Sequence, residues 1–262
     1  MPDSTPLPKI TTTTAGHGWL WLRDGYRLYR RSPLNWLVSV MVVTGMLLLS
    51  FIPMISLLVQ ITLPGITAGL MLAAQAQHRG EPINPGYLIA GFKLNRNELL
   101  LLGVIGFIAN TLIMILATIL FTLFTDTSIM DIMEKIQIGT AVDEQLLGDI
   151  LSLAMLLLIL TMPLIMALWF SPALVILNKL KAWDAFKLSF LACHRNIFAF
   201  ITYGLIGMGY LILITLPIGF GFAILTVLIL LGLSPVIFTS IYCGWRDIFT
   251  SEQAPARTTG HL

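Results

Sequence analysis

The chain predicts an all-α polytopic membrane protein with six transmembrane helices, and three observations carry that prediction. Asp, Glu, Lys and Arg are absent from residues 32–78, 99–125, 150–178 and 196–245. Charged residues make up 11% of the chain and hydrophobic residues 57%, where an ordinary soluble domain carries about 25% charge. Fourteen of the fifteen Lys and Arg fall on one side of the resulting topology.

A helix needs about 20 apolar residues to cross the hydrocarbon core. The second and third charge-free stretches each suit one span, and the first and fourth each suit two. Prolines sit near the centres of the two long stretches, Pro53 in Phe51–Ser56 and Pro217 in Thr215–Gly221, and both segments read as tight turns. The predicted spans are 34–53, 56–76, 99–124, 150–177, 197–216 and 219–243. Residues 1–17 and 250–262 read as disordered tails, the first Pro- and Thr-rich without helical periodicity. The first apolar run begins only after Arg31 and is too long for a cleavable signal peptide, so the first hairpin is expected to direct insertion.

Basic residues flank the spans unevenly. Arg23, Arg27, Arg30 and Arg31 precede span one, Arg79, Lys93 and Arg96 lie between spans two and three, and Lys179, Lys181, Lys187 and Arg195 lie between four and five. The opposite side carries Lys135 with Asp126, Asp131, Glu134, Asp143, Glu144 and Asp149. The positive-inside rule then places both termini in the cytoplasm, with the chain crossing the membrane several times. Cys193 and Cys243 fall near cytoplasmic helix ends and show no metal-ligand spacing.

Two segments ahead of spans read as helices lying in the headgroup plane. In the first, Trp19, Leu22, Tyr26 and Tyr29 share one face and Arg23, Arg27, Arg30 and Arg31 the adjoining one. In the second, Trp183, Phe186 and Phe190 share a face beside Lys187 and Arg195. These residues are the lipid-contact candidates, and as interfacial anchors they fix topology in any case. The segments 24–28, 90–94 and 184–188 each run small, aromatic, basic, Leu, and each precedes an Asn: Asn35, Asn97 or Asn196. With Pro64, Pro172 and Pro235 as kinks in the even spans, the chain reads as a threefold internal repeat. Pairing Trp19 with Trp183 offers a second register, one to two helical turns away.

Inside the spans there is little to do chemistry with. Asn110 is a polar group near mid-depth of span three, read as an interhelical hydrogen bond or a solute contact. Gly65, Gly69 and Ala73 form a small-residue packing stripe along span two. Gly103 with Gly106, and Gly204 with Gly207, offer further close approaches. No span holds an ionisable residue of the kind that couples ion transport. No metal-binding, nucleophile-elbow or phosphate-loop motif appears, so no cofactor and no catalytic residue are expected. The basic residues are spread over interface segments rather than one soluble domain, which argues against nucleic acid as a partner. Residues 125–149 read as an acidic amphipathic helix or solvated loop that could meet a protein partner.

The stretches Gly18–Trp36, Met162–Ile176, Lys181–Asn196 and Tyr242–Phe249 resemble a family of uncharacterised bacterial six-span inner-membrane proteins. More remotely, Pro172, Leu174, Val175, Ala185, Ser189 and Asn196 match a pattern similar to YciC-like proteins and to the membrane domain attached to some glycerophosphodiester phosphodiesterases. The resemblance implies fold and location only. The residues themselves point to a non-enzymatic inner-membrane protein acting through protein or lipid contacts, in an assembly, regulatory or immunity-like role. The alternative is a facilitator or exporter of an apolar or lipid-like solute, with a path between the kinked spans.

Overall fold

The computed structural model describes residues 7–125, 127–139, 143–219 and 223–250, and the protein is all-α throughout them. The helices are α1 (His17–Tyr29), α2 (Pro33–Leu49), α3 (Pro53–His78), α4 (Tyr87–Phe124) and α5 (Ile129–Gln137). They continue as α6 (Glu144–Trp169), α7 (Ser171–Leu177), α8 (Ala182–Arg195), α9 (Ile197–Gly219) and α10 (Ala223–Thr250). Four candidate spans are long and apolar enough to cross a bilayer: α3, α4, α6 with α7, and the 229–250 part of α10. Two bent pairs, α1–α2 turning through 108° and α8–α9 through 83°, bring the total up to six where each pair is taken as one span.

Local chemistry explains the helix ends. Pro33 and Pro53 open α2 and α3, where a missing N–H breaks no helical bond. Ser128 and Asp131 form a reciprocal capping box on α5. The Ser128 N–H and hydroxyl hold the Asp131 carboxyl below the usual carboxylate range. Asp143 caps α6 by accepting from the Leu146 N–H at 2.7 Å. The break between α6 and α7 is made by a side chain. Ser189 Oγ donates to the Met166 carbonyl at 2.7 Å and accepts from the Phe170 N–H at 3.0 Å. Those are the two groups an unbroken helix would join, so the hydroxyl stands in for that bond and bends the ladder. Pro172 then sits in the first turn of α7.

Three corners of the chain share one design: a short helix, a sharp bend and a long helix. The bends fall at Ser32 (φ −150°, ψ 63°), Asn95 (φ −149°, ψ 50°) and Asn196 (φ −111°, ψ 26°). The short arms are α1, residues 87–94 of α4, and α8. Aligned on their bends, the arms bury equivalent positions: Gly25, Leu88 and Ser189 one turn further out, Leu28, Gly91 and Ala192 one turn nearer. This register pairs Trp19 with Trp183, Arg23 with Lys187 and Arg31 with Arg195. The small-aromatic-basic-Leu segments are therefore not structural equivalents, and Asn95 rather than Asn97 is the bend residue of the middle unit.

The arms close the molecule into a ring. The α4 arm lies on α3, where Gly91 meets the Gly65 carbonyl and Gly69 meets the carbonyls of Tyr87 and Leu88. The α8 arm lies on α6 through Ser189 and Met166. The α1 arm lies on α10, with Gly25 against Ser240 and Thr239 Oγ1 donating to the Gly25 carbonyl at 2.9 Å. Each arm thus packs on the second long helix of the preceding unit, and the first arm packs on the last helix.

The tight core lies in the half of the bundle that carries the arms. Trp36, Leu70, Met71, Leu99, Phe170 and Leu174 are essentially inaccessible there. Beyond it the helices run as pairs with exposed apolar sides, such as Ile108, Leu112 and Ile115 on α4 and Leu151, Met155 and Ile159 on α6. A small cluster of Phe121, Ile132 and Leu146 ties α5 to the far ends of α4 and α6.

Several boundaries differ from the sequence expectation. Residues 7–16 do not hang free: the Thr11 N–H donates to the Ile248 carbonyl at 2.9 Å, and Ile10 packs against the core. Pro53 begins a helix rather than centring a turn, and Pro217 lies within α9 rather than between helices. Pro64 and Pro235 do lie inside α3 and α10, but the third internal proline is Pro163 in α6, not Pro172. Thr250 closes α10, and the predicted tail beyond it lies outside the described residues.

Candidate functional site

Polar chemistry concentrates where the ring closes, between α1, the end of α3 and the last turns of α10. The α1 helix buries Gly18, Trp21, Gly25 and Leu28, a stripe at i, i+3, i+7 and i+10. Gly18 meets the backbone of Ala199 and Tyr203, so a side chain there would push α1 away from α9. Trp19 and Tyr26, chosen from the sequence, lie on the outer side of α1 and are about half exposed. The aromatic pattern was visible in the sequence. The glycine face that seats the helix was hidden behind it.

Asp247 on α10 is the anchor of the seam. One of its carboxylate oxygens accepts from Trp21 Nε1 at 2.8 Å and lies 2.6 Å from His17 Nδ1. Asn196 holds the incoming chain beside it: its Oδ1 accepts from the Thr13 N–H (2.6 Å) and hydroxyl (2.9 Å), and its Nδ2 donates to the carbonyls of Thr11 and Ala192. Two other buried indoles bridge helices in the same layer, Trp36 Nε1 to Gln77 Oε1 at 2.7 Å and Trp245 Nε1 to Asn178 Oδ1 at 2.9 Å. Glu98 accepts from the Ala182 N–H at 2.7 Å and so caps α8 from α4.

Two adjoining cavities open at this seam. One, of about 180 Å³, is lined by Asp24, Arg27, Arg31, His78 and Arg246, with Cys243 and Leu28 behind them. The other, of about 280 Å³, is lined by His17, Arg23, Asp24, Arg246 and Asp247 beside Trp21. Asp24 lies 3.2 Å from Arg23 and 3.4 Å from Arg27. The Arg246 Nη1 lies 2.9 and 2.8 Å from the two ring nitrogens of His78. Guanidinium only donates and a neutral imidazole has a single acceptor nitrogen, so one of the two contacts is a hydrogen bond. Burial and the nearby Arg246 and Arg31 push the His78 pKa down, towards that neutral form.

The remaining sequence candidates are scattered. Arg30 lies over the Tyr26 ring at 5.7 Å. Trp183 stacks on Phe186 at 5.7 Å, and Lys187 reaches both the Trp183 ring (5.8 Å) and Asp184 (3.4 Å). Beneath that arm lies a third cavity, about 360 Å³, almost wholly apolar, bounded by Ala109, Pro163, Ala167, Trp183, Phe186 and Phe190. Arg195 is exposed on the same arm. Gly65, Gly69 and Ala73 are buried beneath the α4 arm and Pro64 lies beside them. Gly103 meets the Ile61 carbonyl, whereas no described residue approaches Gly204 or Gly207.

Asn110 is half-buried, and its side chain has no hydrogen-bond partner among the described residues. Thr111, Thr118 and Thr161 donate back to their own helices, and Tyr203 pairs with Ser240 at 2.7 Å. Among the described residues no group of His, Cys, Asp and Glu could hold a metal ion.

This architecture is that of a polytopic all-α membrane protein. The chain is 26% identical, over 260 aligned positions, to a protein of Burkholderia thailandensis named as a probable inner membrane protein, covering 90% of this chain and 91% of that one. No family model matches. No solved structure matches. The residues behind the more remote likeness, Pro172, Leu174, Val175, Ala185, Ser189 and Asn196, are all buried around the α6–α7 break and the α8–α9 bend.

Proposed function

We propose that this is a non-enzymatic integral protein of the bacterial inner membrane that acts through protein or lipid contacts on its arm-bearing face, with that face and both termini in the cytoplasm. The observation that carries the reading is the distribution of polar groups. Arg27, Arg31, His78 and Arg246 gather around an open seam, while the hydroxyls within the spans are mostly satisfied by their own helices. The relative's name supports an inner-membrane location, and the excess of Lys and Arg on the arm side supports the orientation. The buried motif around Ser189 and Asn196 supports a distant relationship to the YciC-like and phosphodiesterase-associated membrane domains, as a shared helix corner rather than a shared activity. An assembly, regulatory or immunity-like role falls within this reading. The acidic segment around α5 is a second surface for a protein partner.

The solute-facilitator alternative requires a continuous path through the bundle. The closed layer of Trp36, Leu70, Leu99 and Phe170 favours the contact reading. Crosslinking with mass spectrometry in native membranes, beside flux assays in liposomes, separates the two. A defined partner joined through α1, α8 or α5 is expected. Saturable flux with no partner would sink the proposal. An alkaline phosphatase fusion at Gly139 is expected to be active, and an inactive one would reverse the orientation.

A further inference from the structure

The two seam cavities differ in charge. In the larger one, Arg23 and Arg246 face Asp24 and Asp247. In the smaller one, three guanidiniums from Arg27, Arg31 and Arg246 face the single carboxylate of Asp24. That carboxylate is already shared by Arg23 and Arg27. Arg246 meets only a neutral imidazole there, and neither Arg31 nor Arg246 has a carboxylate partner among the described residues. These groups come from helices far apart in sequence, α1 with its following corner, α3 and α10. Arg27 and Arg31 reach the recess from the exposed side of α1 and its corner, and Arg246, half-buried, reaches it from α10. Three guanidiniums around one shared carboxylate leave an excess of positive charge that a bound anion would offset. Their planar forks match the oxygens of a phosphate group.

Resting on the contact reading above, we propose that the cavity between α1, α3 and α10 is an anion site for a phosphate group, held by Arg31 and Arg246 with Arg27 beside them. The cavity lies at the ends of the spans, at headgroup level, where the phosphate of an anionic phospholipid would arrive with its chains along α10. A soluble phosphate offers the same oxygens. Occupation would bridge the first and last units of the ring and lock the seam.

The test uses the full-length protein in neutral detergent, with binding followed by native mass spectrometry and thermal shift. The probes are dihexanoyl phosphatidylglycerol, dihexanoyl phosphatidylcholine and inorganic phosphate. Phosphatidylglycerol is expected to bind and raise the melting temperature, with affinity about tenfold or more weaker in Arg31→Gln and Arg246→Gln. Arg96→Gln removes an exposed charge outside the cavity and is expected to leave binding within about twofold. Arg246→Lys keeps the charge without the fork and serves as the folded control if the glutamine variant elutes as aggregate. Saturable binding of inorganic phosphate that competes with the lipid would assign the site to a soluble anion. Phosphatidylglycerol binding without phosphate binding would assign it to the lipid. No binding of either, equal binding of phosphatidylcholine, or equal loss in Arg96→Gln would overturn the site. A crosslinked partner that survives in Arg31→Gln would leave the contact reading standing when the anion site falls.

Discussion

Ser189 and Asn196 show how single side chains shape this bundle. With its hydroxyl between the Met166 carbonyl and the Phe170 N–H, Ser189 converts a helix bond into a bend and fixes α8 to α6. Replacing it with alanine leaves two buried backbone groups short of partners, worth about 1–3 kcal/mol. Ser189→Ala is therefore expected to lower the melting temperature in detergent, and an unchanged value would mean that the break is set elsewhere. Asn196 makes bonds to Thr11, Thr13 and Ala192. Asn196→Ala is expected to release residues 7–16, so that trypsin cleaves after Lys9 faster than in the parent protein. Both residues stood out in the sequence as parts of a pattern. Their partners did not, because Asn196 and Thr13, like His17 and Asp247, meet only through the closed ring. A hydrogen bond between distant residues leaves no local periodicity to read.

At the scale of the helix, the aromatic and basic faces of α1 and α8 were legible because amphipathic spacing is a local property. The close-packing glycines were only half legible. Gly69 and Gly103 meet neighbouring backbone and Gly65 meets the Phe92 ring, whereas no described residue approaches Gly204 or Gly207, which have the same small-residue spacing. Spacing shows where a close approach is allowed and cannot show whether a neighbour is there. Gly25→Val is expected to drive α1 from α10 at about 1–3 kcal/mol or more, as overpacking does. Gly204→Val meets nothing and is expected to keep the parent melting temperature. Equal destabilisation by the two would contradict the packing described for α1. The helix breaks divide in the same way. Pro33 and Pro53 mark their own helix starts, while the α6–α7 break needs Ser189 from another helix in addition to Pro172.

For the whole molecule, the all-α polytopic bundle of four to six candidate spans was legible in the charge-free runs, since hydrocarbon thickness sets span length independently of tertiary detail. Pairing Trp19 with Trp183 was one of two registers open for the threefold pattern, because aromatic-plus-basic runs suit any membrane interface. The bends at Ser32, Asn95 and Asn196 select it. The cavity at the seam follows from ring closure, which brings Arg31 and His78 of the first unit to Arg246 of the last.

Closure of that ring by α1 on α10 is the central claim, and thiol crosslinking in native membranes tests it most directly. In a background carrying Cys193→Ser and Cys243→Ser, His17→Cys with Asp247→Cys replaces two side chains that touch at 2.6 Å. A short bismaleimide is expected to join them within one chain and change its gel mobility. Trp19→Cys with Asp247→Cys, which places one thiol on the outer side of α1, is expected to stay unlinked. Failure of the first pair to link, or linkage only between two copies, would contradict a ring closed by the first arm on the last helix.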